Sequence, residues 1–214
     1  MKCLLALFAV CLLTVSCAVN SPNDTQNEWV TITVGVENCI DGANKIDGFN
    51  KGQSMEAIFP LIPGKLFGTP TADIVAYEYA RAGEALTLRL PANMSDKAQA
   101  LSQEGLTITP SNTELLRLGT FHRYANYGDS IGGGLFYDEK TGDFAVLTYF
   151  SDAAKVIGTD SNQRETTKID ISIPFAGWHW VAISQVGKNQ YAGRLYKGSV
   201  DSIKFCAIVK AVGT

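Results

Sequence analysis

Histidine is almost missing from this chain, with two in 214 residues. With an expected disulfide taking up cysteine as well, too few ligands remain for a zinc site. Positive charge is scarce as well. Eighteen Lys and Arg stand against twenty-one Asp and Glu, a formal charge of −3 at pH 7. No basic field exists to gather phosphate, which excludes nucleic acid and anionic membrane surfaces as partners. Gly132-Gly133-Gly134 is followed by neither a Gly-Lys-Ser/Thr nor a helical pattern, so a phosphate loop is excluded too. No strand carries carboxylates clustered as Glu-x-Asp-x-x-Glu, the supply of acid and base that a sandwich glycosidase needs. Neither histidine stands in a Gln-x-His strand of the kind used by polysaccharide lyases. No enzyme activity is assigned, and a polysaccharide hydrolase or lyase remains only an alternative to binding.

One long hydrophobic run exists, Cys3 to Val15. It is too short and too early for a membrane span and reads as an export signal. Two cleavages fit. Thr14-Val15-Ser16-Cys17 resembles a bacterial lipobox, with Thr14 where leucine is usual. On that reading residues 1–17 are a lipoprotein-type signal, Cys17 is lipidated, and the polar stretch 18–27 is a tether. Alternatively Ser16-Cys17-Ala18 fits the small-x-small rule and the mature chain starts at Val19. Either way the chain is exported, as an outer-membrane lipoprotein or as a periplasmic or secreted protein. Contact with the membrane then runs only through a lipid anchor.

The cysteines divide accordingly. Cys3 and Cys11 leave with the signal, and Cys17 is lipidated or removed. Cys39 and Cys206 remain, an even pair near the two ends of the body, and an oxidising compartment predicts a disulfide between them. Two buried free thiols are the alternative. No neighbouring histidine or motif supports a catalytic cysteine.

What is plentiful is strand pattern. Apolar residues are 46% and charged residues 18%, a globular balance, and residues 28–214 read as one domain. Val30, Ile32, Val34 and Val36 alternate along "WVTITVGVE". Ile169, Ile171 and Ile173 alternate along "KIDISIPF", and Ile203, Phe205, Ala207 and Val209 along "SVDSIKFCAIV". "DIVAYEYA" and "ALTLRLP" flank Arg81-Ala82-Gly83-Glu84 as a predicted hairpin. "GLFYDEKTGDFAVLTYF" forms another around Asp138 to Asp143, with Gly142 free for positive φ. Gly187-Lys188-Asn189-Gln190 turns a third. Only "SDKAQALSQEG" (95–105) reads as a short helix, with a Ser95 cap and a Gly105 stop. The prediction is an all-β, two-sheet antiparallel sandwich with one short helix.

"GWHWVAISQVGKNQYAGRLYKG" (177–198) holds both a histidine and two tryptophans within four residues. Alternation puts Trp178, Trp180, Ala182 and Ser184 on one strand face and His179, Val181 and Ile183 on the other. The β-branched face is the candidate core, with His179 a packing residue at its edge. Trp178 and Trp180 are either an exposed platform for sugar or protein, or a second small core under a loop.

This stretch resembles the Trp-His-x-Val-Ala strand and Leu-Tyr-x-x-Gly strand of laminin-G-like and concanavalin-A-like jelly rolls. The matching residues are Trp178, His179, Val181, Ala182, Leu195, Tyr196 and Gly198. Residues 115–120, 132–150 and 168–177 fall in the order that family's strands take, and the likeness covers roughly 113–200. The resemblance implies a jelly roll that binds a glycan, or an envelope or extracellular protein, often through rim loops. A structural envelope lipoprotein without a small ligand is the other reading.

The densest polar-aromatic cluster is His122, Arg123, Tyr124, Tyr127 and Asp129. Read functionally, it is a rim loop in which rings stack a ligand and Arg123 and Asp129 hydrogen-bond it. Read plainly, it is a connection between strands. Asp138, Glu139 and Asp143 read as a solvated turn tip. Asp41, Asn44, Asp47 and Asn50 offer oxygens in a Gly-rich loop but miss the spacing of a calcium hand, so no cofactor is assigned.

Overall fold

Alternation at period two builds nearly all of the structure. The computed structural model describes residues 29–38, 40–41, 44–45, 54–67, 74–81, 83–124, 131–162 and 164–208. The first strands are β1 (Trp29–Asn38), β2 (Ile40–Asp41), β3 (Asn44–Lys45), β4 (Ser54–Pro63), β5 (Ile74–Arg81) and β6 (Ala85–Pro91). Next come β7 (Gln99–Ala100), β8 (Leu106–Thr109), β9 (Glu114–Leu118), β10 (Phe121–Tyr124), β11 (Ile131–Asp138) and β12 (Phe144–Phe150). The last are β13 (Ala154–Ser161), β14 (Thr166–Ile173), β15 (Gly177–Gly187), β16 (Gln190–Leu195) and β17 (Ile203–Ile208).

The fold is all-β, as expected. Its layers belong to one continuous mixed sheet of fifteen strands, while β2 and β3 pair only with each other. The sheet doubles back on itself, so that its layers pack around two apolar cores. Ile32, Val34 and Val36 of β1, Leu86, Leu88 and Leu90 of β6, and Phe59, Phe136 and Phe205 fill the first. Val156, Ile169, Ile171, Ile173, Val181 and Ile183 fill the second. Two pairings are parallel: β1 with β17, and β14 with β16.

The wall between the cores is β9, β12 and β15, which pair in that order. Leu116, Leu118, Ala145, Leu147, Tyr149 and Trp180 face the first core. Leu115, Phe150, Val181 and Ile183 face the second. A strand with an apolar layer on both sides needs apolar residues at every position rather than at alternate ones. That is why "FAVLTYF" and "WHWVAIS" lack polar alternation.

Two expectations need correction. Residues 95–105 do not form a helix. Met94 C=O accepts from the N–H groups of Lys97 and Ala98 in a tight turn, and Gln99–Ala100 then pairs with β9 as β7. Met94 and Ala98 are drawn into the first core, and the segment has too few apolar residues to bury a helical face. The one helical element among the described residues is a single 3₁₀ turn, Val200–Ser202. Nor do β5 and β6 form a hairpin. The chain turns between them, but β5 pairs with β4 and β6 with β1, which leaves a seam between two consecutive strands. The hairpins β11–β12 and β15–β16 do form, with Gly142 at φ 74° and Asn189 at φ 58° in their turns.

The first of these hairpins also forks. Its strands pair at Phe136–Ala145 and Tyr137–Phe144. Beyond that point β11 runs beside β10 and β12 runs beside β9. The splayed strands leave a gap in the sheet opposite Gly119 and Thr120.

Candidate functional site

The Trp-His-Trp strand is interior. Trp180 is 9% exposed and meets the Phe136 ring edge-on at 5.1 Å. Trp178 is half-buried, packs on the first core, and donates its Nε1–H to the Pro91 carbonyl at 2.8 Å. The platform reading of this pair is therefore corrected. Strand alternation does separate the rings from His179, but β15 has a core on each side, so both faces are covered. Two large rings gain more from burial than from water, and the Trp178 N–H has found a partner.

His179 is buried on the second-core face, tilted against Phe175 at 4.9 Å. Its Nε2 lies 2.8 Å from the Phe175 carbonyl. A carbonyl only accepts, so the ring carries the Nε2–H tautomer and donates. Burial pulls its pKa below the ordinary 6.5, and the carbonyl only partly offsets that. It packs and anchors the turn before its own strand.

The turn after β11 is solvated at its tip, residues 139–142, but not at its two aspartates. Asp138 is 3% exposed. Burial pushes its carboxyl upward, but hydrogen bonds from Lys140 N–H, Ser202, Tyr196 and Thr141 outweigh it and hold the pKa below the ordinary value. Asp143 pairs with Arg194 at 2.6 Å and Glu139 with Lys204 at 3.4 Å. A Cβ at Gly198 would collide with the Tyr196 hydroxyl, so the glycine two residues after Tyr196 in Leu195-Tyr196-Lys197-Gly198 is explained as packing over this network.

The polar-aromatic cluster is not a single rim loop. His122, Arg123 and Tyr124 belong to β10, a strand flanked by β4 and β11, with Arg123 opposite Glu56 and Ile131. Tyr127 and Asp129 lie outside the described residues, as do Cys17 and Cys39. Cys206 is 2% exposed. Asp41 is opposite Asn44 across β2 and β3, and Asp47 and Asn50 are outside the described residues. Among the described residues no three His, Cys, Asp or Glu side chains converge as a metal site. No described helix is long and apolar enough to cross a membrane.

Two features were not singled out from sequence. The first is an exposed aromatic face. Tyr77 and Tyr79 on β5 are 57% and 75% exposed, and alternation sends both outward, roughly 6.5 Å apart along the strand. The Tyr79 hydroxyl reaches Glu56 on β4 at 3.4 Å. On the outer side of β1, Trp29 is 47% exposed, with the Arg89 guanidinium of β6 over its ring at 5.4 Å. The unpaired seam between β5 and β6 opens at this end into a groove of about 580 Å³. Ile74, Val75, Pro91, Asn93, Asp96 and Lys97 line it. The signal was present as Tyr-x-Tyr, but in a strand otherwise indistinguishable from its neighbours.

The second feature is the gap at the fork, a pocket of about 240 Å³. Its apolar walls are Phe121, Leu135, Phe136, Phe144 and Val146, and its one charged lining residue is Arg117. Burial lowers the Arg117 pKa from its ordinary value to about 10. On the same face of the wall, Thr148 stands directly between Arg117 and His179 in the cross-strand register. Its hydroxyl is fully buried without a hydrogen-bond partner.

The contrast between the aromatic pairs has a measurable outcome. Trp180→Ala is expected to cost about 3–5 kcal/mol, as large-to-small core changes do. Tyr79→Ala should stay within about 0.5 kcal/mol of the parent. Chemical denaturation of the two variants checks the placement, and equal losses would refute it. A second outcome concerns acid. The unfolded chain protonates His179 near pH 6.5, whereas the folded chain does so only at lower pH. Stability from the neutral ring is thus present above 6.5 and is lost as pH falls from there toward the folded pKa. Thermal melts from pH 8 to pH 5 should show that loss in the parent and a shallower one in His179→Gln. Identical pH profiles would mean the ring titrates normally.

No protein-family model, curated protein or solved structure matches the chain, so what these surfaces do has to be read from their chemistry.

Proposed function

We propose that the protein is an exported, lipid-anchored all-β binding protein that holds a glycan on the outer face of β1, β5 and β6. One observation carries this reading: Tyr77 and Tyr79 are large rings left 57% and 75% in water at an i, i+2 spacing. Rings of that size ordinarily gain by burial, so an exposed pair is a surface kept for a partner. Flat rings match the apolar face of a pyranose. Polar groups able to read sugar hydroxyls lie on the same group of strands and turns: Glu56 beside Tyr79, Arg89 over Trp29, and Asn93 and Asp96 in the groove that Ile74 lines. With a formal charge of −3, a neutral glycan suits the surface better than a polyanion. A glycan array identifies the sugar, and calorimetry on the hit tests the site. Tyr77→Ala and Tyr79→Ala should each weaken binding roughly tenfold with little change in melting temperature. Unchanged affinity in both variants would sink the assignment to this face.

Export and anchoring rest on the apolar run and on Cys17. The disulfide proposal has support from the strand register. Asn38 lies opposite Ala207, so Cys39, next in the chain, follows directly on a residue paired beside Cys206. Intact-mass analysis of the membrane fraction tests both at once. The expected species carries a lipid on Cys17 and a Cys39–Cys206 link that reduction opens. A soluble mature chain beginning at Val19 would end the lipoprotein reading, and two alkylatable thiols without reduction would end the disulfide.

A further inference from the structure

In the groove at the open end of the β5–β6 seam, one polar side chain has its orientation settled by its neighbours. Asn93 lines the groove. Its Oδ1 accepts from the Ser95 N–H at 2.9 Å, and the Ser95 and Tyr149 hydroxyls stand at 2.8 and 2.9 Å from the same oxygen. A backbone N–H only donates, so the amide atom facing it is the oxygen, and the flipped amide is excluded. The oxygen is thus committed toward the buried Tyr149, and the NH₂ is the end left for an occupant. Among the described residues no acceptor meets it. The floor of the groove is fixed as well. Met94 C=O accepts from the Lys97 and Ala98 N–H groups, and Met94 and Ala98 pack into the first core. The Pro91 carbonyl holds the Trp178 Nε1–H. None of these contacts depends on a ligand.

We infer that this groove reads the acetamido group of an N-acetylated amino sugar, an inference that rests on the glycan reading of the same face. The Asn93 NH₂ donates to the acetyl carbonyl, and the Asp96 carboxylate accepts from the acetamido N–H. The methyl lies against Ile74, Val75 and Pro91. An acetamido group carries one acceptor, one donor and an apolar end, without net charge. The lining answers each of these, and Asp96 and Lys97 bring one charge of each sign to it, which favours an uncharged guest over an acid or an amine. The volume of about 580 Å³ falls within the roughly 300–1,000 Å³ of small-molecule pockets, room for one or two sugar rings. Ile74 stands three residues before Tyr77 on β5, roughly 10 Å along the strand. Two linked rings span that distance, one on the tyrosine and the other with its acetamido group in the groove. A bare hydroxyl in place of the acetamido group offers no carbonyl to Asn93 and no methyl to the apolar wall. A peptide offers amides too, but no pyranose face for Tyr77 and Tyr79.

The test titrates the full-length protein in detergent with chitobiose and with cellobiose, neutral disaccharides that differ in carrying an acetamido group or a hydroxyl on each ring. Calorimetry gives the affinities, and the Asn93 side-chain NH₂ resonances report contact. Chitobiose is expected to bind about tenfold tighter than cellobiose and to shift the Asn93 NH₂ signals, which cellobiose leaves in place. Asn93→Asp keeps an oxygen for Ser95 and Tyr149 but removes the donor, so it should abolish the preference with little change in melting temperature. Tyr79→Ala should weaken both sugars and leave their ratio unchanged. Equal affinities would overturn the proposal and leave the glycan reading standing. So would a glycan-array hit without N-acetyl groups on a protein that does not bind chitobiose. A preference that survives in Asn93→Asp would overturn the assignment to this groove. An array without any hit would remove both readings together. If Asn93→Asp does not fold, the two disaccharides and the NH₂ signals of the unaltered chain still decide.

Discussion

The constraint behind most of this structure is that three neighbouring strands, β9, β12 and β15, have no solvent side. Along their central lengths most residues point into one apolar core or the other. Exposed side chains appear only at their ends, at Phe144 of β12 and at Gln185 and Val186 of β15. A polar side chain on such a wall must bring or find its own partner. His179 meets that demand locally, through the Phe175 carbonyl four residues earlier. Trp178 meets it across the first core, through Pro91. Tyr149 does so at the rim, where its hydroxyl reaches Asn93 at 2.9 Å and Ser95 at 3.0 Å. Thr148 does not meet it, and it is the wall residue between Arg117 and His179. The wall therefore accounts for the oddest stretch of the sequence without any catalytic or ligand-binding role.

Much of the fold was legible because one-sided strands write their geometry as alternation. Leu86, Leu88 and Leu90, or Ile169, Ile171 and Ile173, carry a period of two that nothing else imitates. The two hairpins that form were legible through turn chemistry. The wall was not, because a strand buried on both faces loses its period, and "WHWVAIS" then reads as one apolar face and one aromatic face. The seam between β5 and β6 was hidden for another reason. A tight turn specifies that the chain reverses, not that the strands on either side bond to each other. The helix expected near Ser95 failed for want of apolar residues to bury, a tertiary requirement that local propensity does not see.

Site residues were legible to a lesser degree, and the reason is physical. Trp178 and Trp180 drew attention by size, and size is also what drives rings inward. Tyr77 and Tyr79 are ordinary by composition and informative only once their exposure is known. Arg117 stands in "ELLRL", where an arginine between leucines reads as a solvated position on an amphipathic strand. Only the fork of the neighbouring hairpin turns it into the charged wall of a pocket.

The parallel pairing of β1 with β17 has a consequence in time. The second core draws on Leu66 and then on residues from Leu101 to Leu195, largely one uninterrupted length of chain. The first core needs Ile32 and Val34 from one end together with Ile203 and Phe205 from the other. A chain emerging amino end first can assemble most of the second core while its last strand is still unmade. The first core stays incomplete until the final residues arrive, so its long-range contacts are the late and slow ones. Until then β1 presents an unpaired edge beside an unfilled interior. The last strand is thus the one that retires the exposed surface of the first.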